Sequence, residues 1–397
     1  MKPRPRQVSL FDDQRLRLPD AIDLSLDSLR HYGPEYRHWA LAFSGGKDST
    51  ATVTFVAWAI LTGKVPAPES LTILYGDTRM ELPPLQATAM QLLARLERDG
   101  FETQVVQPPM DARYMIYMLG YGVPPSSNTF RWCTPKLKIE PMHAALRAKR
   151  EAAGEKLLML TGVRLGESEA RDQRIAVSCS KNSGECGQGW FQVATPESVA
   201  DTLAPLLHWR LCHVFDWLYF ETPRHGYDQV AGIADVYGQE EVRTGCVGCP
   251  LASRDVALER LLKNPDWTYL TPLMELKPLY RELKKPKHRI RKARPERRKD
   301  GQWSRNGQRM GPLTMEARAY GLETVLDIQH RVNHLGRQDG RLTIDLINDE
   351  EEARIREMWA QDTWPQKWSG DEVKADVLID QIDADGDRLI VQPVLVR

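Results

Sequence analysis

Short apolar runs and amphipathic stretches alternate in a regular order along this chain. Residues 38–43 form an apolar run that stops at Gly45-Gly46, and residues 48–61 continue with Ala, Thr, Val and Trp at helical spacing. A second run, 71–75, ends at Gly76-Asp77; Pro83-Pro84 opens a helix reaching about residue 99, and 102–107 reads as a third strand. Strand, helix, strand, helix, strand predicts an α/β fold with a doubly wound parallel sheet. The alternation continues with a helix over 141–152, a strand over 157–161, and a segment over 207–220 in which Val214, Trp217 and Leu218 share a helical face. Helices are expected over 20–32, 255–262 and 269–283, and residues 174–204 read as an ordered loop or excursion.

Length and charge divide the chain further. At ~150 residues per domain, 397 residues suggest two or three domains. The division read here is a lead-in over 1–37, a catalytic domain over 38–250, a helical and basic extension over 251–310 and a small acidic α+β region over 311–397. Lys plus Arg and Asp plus Glu both number 54, but the neutral total conceals two opposed segments. Residues 281–309 carry thirteen Lys or Arg against three acids, and residues 344–397 carry fourteen acids against six bases. The basic run, interleaved with Trp303 and prolines, is expected to meet nucleic-acid phosphates, with a solvated loop or one docked on the chain's own acidic tail as the alternatives. Within the tail, 377–382 and 389–396 flank Asp385-Gly386, a hairpin signal. A calcium loop there fails, because Val394 stands where a Glu is needed. The most apolar stretch, 51–61, falls short of the ~18 residues of a membrane span. The basic start leads to Phe11-Asp12-Asp13 instead of an apolar segment, so the expectation is a cytoplasmic protein without membrane contact.

Candidate chemistry concentrates in two places. Ser44-Gly45-Gly46-Lys47-Asp48-Ser49 lies between a strand and a helix start. Two glycines let backbone N–H groups approach an anion, Ser44 and Ser49 add hydroxyls, and Lys47 adds a mobile positive charge. The order is not that of a Walker A loop. Six cysteines are too few for a disulfide scaffold, and Cys246-Val-Gly-Cys249 has a spacing typical of metal or redox chemistry. Cys212, in an apolar segment, reads as a small buried hydrophobe, and His208, His213 and His225 as structural histidines.

The loop resembles the signature of the PP-loop ATP pyrophosphatases, of the adenine nucleotide α-hydrolase-like fold. Three later segments resemble the branch containing phosphoadenylyl-sulfate reductases and the sulfurtransferases of Dnd- and Ssp-type DNA phosphorothioation. They are Tyr75-Gly-Asp77-Thr78-Arg-Met-Glu81-Leu-Pro83, Arg131-Trp-Cys133-Thr-Pro-Lys136-Leu-Lys138, and Gly162-Val-Arg164-Leu-Gly-Glu167-Ser168-Glu-Ala-Arg171. The resemblance implies an enzyme that cleaves ATP between the α- and β-phosphates, adenylylates a DNA backbone phosphate, and lets sulfur from a cysteine desulfurase displace AMP. Other phosphorothioation proteins and DNA would be its partners. It implies an ATP site at Ser44, Gly45, Gly46, Lys47, Asp48, Ser49, Asp77, Thr78, Gly162, Glu167 and Ser168, with Lys47, Arg164 and Arg171 neutralising phosphate charge. Asp48 and Asp77 are candidates for Mg²⁺ or the ribose.

In the reductase branch with a [4Fe-4S] cluster, ligands come from a Cys-Cys pair and a later Cys-x-x-Cys; here Thr134 follows Cys133. The ligand set is therefore open among Cys133, Cys179, Cys186, Cys246 and Cys249, with zinc or free redox thiols as alternatives. Without a cluster, Cys133 is the candidate sulfur carrier, activated by Arg131 and Lys136. Phosphoadenylyl-sulfate reductase and tRNA thiolase remain alternative enzymes, the former disfavoured because no cysteine follows Cys249. A nucleic-acid-binding scaffold with a silent nucleotide site is the non-enzymatic alternative.

Overall fold

A computed structural model of the chain describes residues 16–166, 169, 172–173, 184–185, 190–192, 199–238, 244–293, 296–297, 300–302 and 309–377. Its centre is a sheet of β1 (His38–Phe43), β2 (Ser70–Gly76), β3 (Glu102–Val106), β4 (Leu157–Leu160), β5 (Gly184–Glu185), β6 (Trp190–Gln192) and β7 (Ala200–Ala204), in the order β3-β2-β1-β4-β7-β6-β5. The five strands from β3 to β7 in that order are parallel, and β6 and β5 extend the edge antiparallel. Strand β2 buries five consecutive residues, Leu71 to Tyr75, as expected of a parallel sheet covered on both faces. The doubly wound α/β expectation is met, and the order places β1 and β4 side by side at the centre, with their carboxyl ends adjacent.

Helix α1 (Leu18–Tyr32) packs from the lead-in, and α2 (Lys47–Leu61) follows β1 directly. Almost all of α2 is buried, and its threonines satisfy their hydroxyls on the preceding turn: Thr50 bonds Gly46 O at 2.9 Å, Thr52 bonds Asp48 O at 2.9 Å and Thr54 bonds Thr50 O at 2.8 Å. Phe55 sits among Trp209 and Trp217 with ring centroids 5.5 and 5.3 Å away. The two indoles keep their N–H groups bonded, to Ser25 Oγ on α1 and Thr54 Oγ1 on α2, both at 2.9 Å. This aromatic wedge sets the axis of α2 and so aims its N-terminus at the carboxyl end of β1. Helices α3 (Pro83–Arg98) and α4 (Glu140–Ala153) complete the winding, and α5 (Leu211–Asp216) runs on through a π-helical turn, Trp217–Glu221.

Two expectations require correction. Residues 174–204 are not only an excursion, since β7 is the fifth parallel strand. Its signal is masked by Asp201, buried in the strand, whose carboxylate accepts from Tyr36 Oη at 2.6 Å and pairs with Lys156 Nζ at 2.8 Å. Cys212 is exposed, not buried. It faces outward, as does Phe220 in the following π-helical turn, while Val214, Phe215, Trp217 and Leu218 are buried.

Short helices α6 (Ile233–Tyr237), α7 (Val256–Leu261) and α8 (Leu276–Leu283) lead to a two-stranded ribbon, β8 (Arg289–Arg291) with β9 (Met310–Leu313). The described part of the acidic region is helical: α9 (Met315–Gln338) and α10 (Asp349–Ala360). Leu322, Val325, Ile328, Ile355 and Met358 belong to the same core as the sheet's aliphatic residues. Gly120 shows how tight the joint is, because a Cβ there would stand 2.5 Å from Met358 Sδ. The hairpin expected around Asp385-Gly386 lies outside the described residues.

The described part of the basic segment around Arg289–Lys292 is docked on the chain itself. Lys292 pairs with Glu372 at 2.7 Å, Arg291 N donates to Val373 O at 2.8 Å, and Arg289 Nε donates to Gly311 O at 2.7 Å. Lys285 and Lys287 both reach Glu282 at 2.6 Å and hold its carboxyl at about 2. Among the described residues no helix is long and apolar enough to cross a membrane.

Because α10 shares the core with the sheet, Ile355→Ala is expected to cost about 2–5 kcal/mol within a single cooperative transition in urea. A separate early transition for the C-terminal helices would contradict the shared core.

Candidate active site

The loop 44–49 turns at Gly45, whose φ of +72° and near contacts with Ala89 and Tyr75 suit only glycine. Gly46 is the extended N-cap of α2, and no side chain caps the helix, so its first-turn N–H groups face the loop. Ser49 braces the turn: its Oγ lies 3.0 Å from both Ser44 Oγ and Gly46 O and accepts from Ser44 N at 3.2 Å.

Asp48 then gathers the charges. Its Oδ2 pairs with Lys47 Nζ at 2.9 Å, and its Oδ1 accepts from Arg164 Nε. Lys47 and Arg164 are buried, at 6% and 3% exposure, and Arg164 Nη2 has no partner among the described residues. Two buried cations share one carboxylate, which leaves one surplus positive charge at a helix N-terminus. Desolvating each ion costs several kcal/mol, so a surplus of this kind belongs to a site built for an anion. Gly162 makes the arrangement possible: a Cβ there would lie 2.9 Å from Ser49 N and 3.0 Å from Asp48 O. The chain leaving β4 thus crosses directly over the start of α2 and delivers Arg164.

Sequence reasoning missed Tyr237, which closes this cradle from α6. Its ring lies under Lys47 Nζ at 5.2 Å, and its hydroxyl bonds Thr244 Oγ1 and accepts from Lys47 N at 3.4 Å. A single Tyr ahead of a glycine carries no motif that marks it out.

Beside the cradle, at the end of β2, Asp77 and Thr78 are both buried. Asp77 Oδ1 accepts from Arg79 N at 2.8 Å and Oδ2 from Gln107 Nε2 at 2.7 Å. Arg79 is left-handed, with φ of +63°, a conformation costing ~1–3 kcal/mol for a residue with a Cβ. Thr78 Oγ1 donates to Glu81 Oε1 at 2.6 Å, and burial raises the Glu81 carboxyl.

The cysteines form a third patch. Tyr114 and Tyr280 are buried side by side, 5.7 Å between rings; Cys133 and Cys246 lie near the former, Cys246 and Cys249 near the latter. Val247 N donates to Met80 O at 2.7 Å, stitching the Cys246–Cys249 loop to the segment after β2. Lys277 Nζ holds Cys249 O at 2.7 Å and Ala252 O at 2.6 Å. Burial pushes the Cys246 thiol up to about 12, the opposite of activation. The cations expected to activate Cys133 are engaged elsewhere: Arg131 Nε bonds Thr134 Oγ1 at 3.0 Å, and Lys136 Nζ lies 4.6 Å over the Tyr117 ring.

Among the described residues no group of three or more His, Cys, Asp or Glu is arranged to hold a metal ion. The donor set expected for [4Fe-4S] or zinc is not assembled by Cys133, Cys246 and Cys249 in this geometry. Asp48 and Asp77, expected for Mg²⁺, have every carboxylate oxygen bonded to protein groups. Glu167, Ser168, Arg171, Cys179, Cys186 and Arg243 lie outside the described residues. His213 and His225 are structural: Arg210 N donates to His213 Nδ1 at 3.2 Å, and His225 packs 5.3 Å from Trp58.

Residues 38–252 match the phosphoadenosine phosphosulfate reductase domain family, and the chain, more than half covered, belongs to that family. Among solved structures it is similar to phosphoadenylyl-sulfate reductase from Candida auris in its phosphate complex, at 12% identity over 51% of this chain and 86% of that one, with a TM-score of 0.32. FMN adenylyltransferase from Candida glabrata with FMN and an ATP analogue is 14% identical over 53% of this chain and 60% of that one, TM-score 0.31. The U34-tRNA thiolase of Methanococcus maripaludis with its [4Fe-4S] cluster is 13% identical over 67% and 79%, TM-score 0.32. No curated protein matches the chain.

Gly162→Ala is expected to displace the start of α2 and weaken inorganic pyrophosphate binding about tenfold or more, read by calorimetry; unchanged affinity would contradict the cradle. Alkylation of metal-free protein by iodoacetamide, followed by peptide mass spectrometry, is expected to leave Cys246 unmodified at pH 7.5 and to accelerate there only well above pH 9. Rapid modification at neutral pH would show an accessible thiolate instead.

Proposed function

We propose that the chain is an adenylylating ATP pyrophosphatase that activates a DNA backbone phosphate for sulfur insertion. The observation that carries this reading is the surplus positive charge of Lys47, Asp48 and Arg164 at the uncapped start of α2. A non-bridging oxygen of the acceptor phosphate attacks the α-phosphorus of ATP, the bond to the α,β-bridging oxygen breaks, and pyrophosphate leaves. Lys47, Arg164 and the loop amides stabilise the charge that collects on the leaving group. Belonging to the phosphoadenosine phosphosulfate reductase family supports the nucleotide chemistry, and the DNA acceptor rests on the resemblance to Dnd- and Ssp-type sulfurtransferases.

Sulfur transfer then follows on the adenylylated phosphate. The terminal sulfur of a persulfide, loaded by a cysteine desulfurase onto Cys133, attacks the acceptor phosphorus as AMP leaves. A second thiol of the Cys133, Cys246 and Cys249 group takes the carrier sulfur as a disulfide and frees the phosphorothioate. A [4Fe-4S] cluster in this patch would draw three or four ligands from Cys133, Cys179, Cys186, Cys246 and Cys249, and no step is routed through one. The acceptor meets the carboxyl edge of the sheet instead of the ribbon around Arg289 and Lys292, whose charges are bound within the chain. The other family chemistry, reduction of phosphoadenylyl sulfate, is a second reading favoured by the family match alone.

The test supplies ATP, Mg²⁺, cysteine, a cysteine desulfurase and a reductant, with DNA, bulk RNA or phosphoadenylyl sulfate as acceptor. Phosphorothioate dinucleotides in a nuclease digest of the DNA are expected. Thionucleosides in RNA, or sulfite from phosphoadenylyl sulfate, without modified DNA would contradict the proposal. Lys47→Ala and Arg164→Ala are each expected to slow pyrophosphate release about 10²–10³-fold; either variant at wild-type rate would remove that residue from the site.

A further inference from the structure

The acidic C-terminal region meets the segment after β2 through Glu351 and Asp345. Glu351, on the first turn of α10, is buried, with 3% of its side chain exposed, although it carries a charge. Its Oε1 accepts from Arg113 Nη1 at 2.8 Å and Arg79 Nε at 3.2 Å. Its Oε2 accepts from Arg79 Nη2 at 3.0 Å and from the N-cap Asn348 N at 3.0 Å.

Both arginines lead to Asp77. Arg79 N donates to Asp77 Oδ1 at 2.8 Å. Arg113 Nη2 donates to Gln107 Oε1 at 3.4 Å, and Gln107 Nε2 donates to Asp77 Oδ2 at 2.7 Å. Each oxygen of Asp77 therefore ends one of two routes that begin on the same carboxylate. Arg79 can hold its left-handed backbone because its guanidinium is anchored at both ends, on Glu351 and, at 3.3 Å, on Asp345. Asp111, two residues before Arg113, is itself held by Arg354 on α10, whose Nε and Nη2 donate to its two oxygens at 2.8 Å each. The phosphate cradle receives none of these bonds.

We propose that the Asp77–Thr78 segment takes the ribose end of ATP and that Glu351 is its positioning residue, fixing the segment from α10 while leaving the phosphate end independent. The proposal rests on the reading that this site takes ATP. Breaking a buried pair leaves its arginines uncompensated, and the Asp77 segment loses its fixed geometry. Misplacement by about an ångström costs up to ~10²-fold in such sites.

The test measures AMP and inorganic pyrophosphate binding separately, by calorimetry, for the full chain and for Glu351→Gln and Arg113→Gln. Glu351→Gln is expected to weaken AMP about tenfold or more and to leave pyrophosphate within twofold. Arg113→Gln, which cuts one route only, is expected to weaken AMP by a smaller factor; it also decides the matter if Glu351→Gln does not fold. Unchanged AMP affinity in a folded variant, or equal losses of AMP and pyrophosphate, would overturn the positioning role. A wild-type chain that binds neither ligand would instead overturn the reading of the site.

Discussion

The phosphate cradle depends on one carboxylate shared by two buried cations. Asp48 stands in the first turn of α2, where the helix presents its N-terminal N–H groups, and it holds Lys47 on one oxygen and Arg164 on the other. Neither cation would stay in that position without it, since each has been taken out of water. The carboxylate stabilises the pair but does not neutralise it, and the remaining charge suits the loop to an anion. The packing follows from the same requirement. Gly162 must lack a Cβ for Arg164 to approach, and Phe55, Trp209 and Trp217 must fix α2 for its N-terminus to point there.

The site is assembled from three layers of sequence distance. The cradle is nearly local, with Arg164 crossing from the neighbouring strand. The thiol loop is stitched to the segment after β2 by a backbone bond between Val247 and Met80. The outermost layer, Glu351 with Arg79 and Arg113, spans residues 272 and 238 positions apart. The acidic tail and the basic ribbon, which look like independent electrostatic features in the sequence, meet in the fold through the ion pair of Lys292 and Glu372.

The strands β1, β2 and β3 and the helices between them were legible because their burial is continuous or periodic and their ends carry Gly or Pro. The cradle was legible because Ser44–Ser49 is a contiguous motif. Strand β7 was not, because Asp201 breaks its apolar run and finds partners, Tyr36 and Lys156 among them, only once the chain has folded. Helix α9 hides its buried stripe behind Arg318 and Gly321: the arginine donates to Gly120 O at 2.8 Å and Thr363 O at 3.0 Å, and the glycine is there for contact with Leu119. Cys246 shows the limit of local reading, because spacing and nearby charge suggest an activated thiol while burial against Tyr114 and Tyr280 raises it. Glu351 carries no signal at all until the fold places it.

The bond cleaved in ATP tests the central claim most directly. With ATP labelled at the α- and γ-phosphates, and DNA and a persulfide donor present, a cradle that holds the leaving group as pyrophosphate predicts AMP and pyrophosphate in equal amounts. ADP with inorganic phosphate as the products would contradict it.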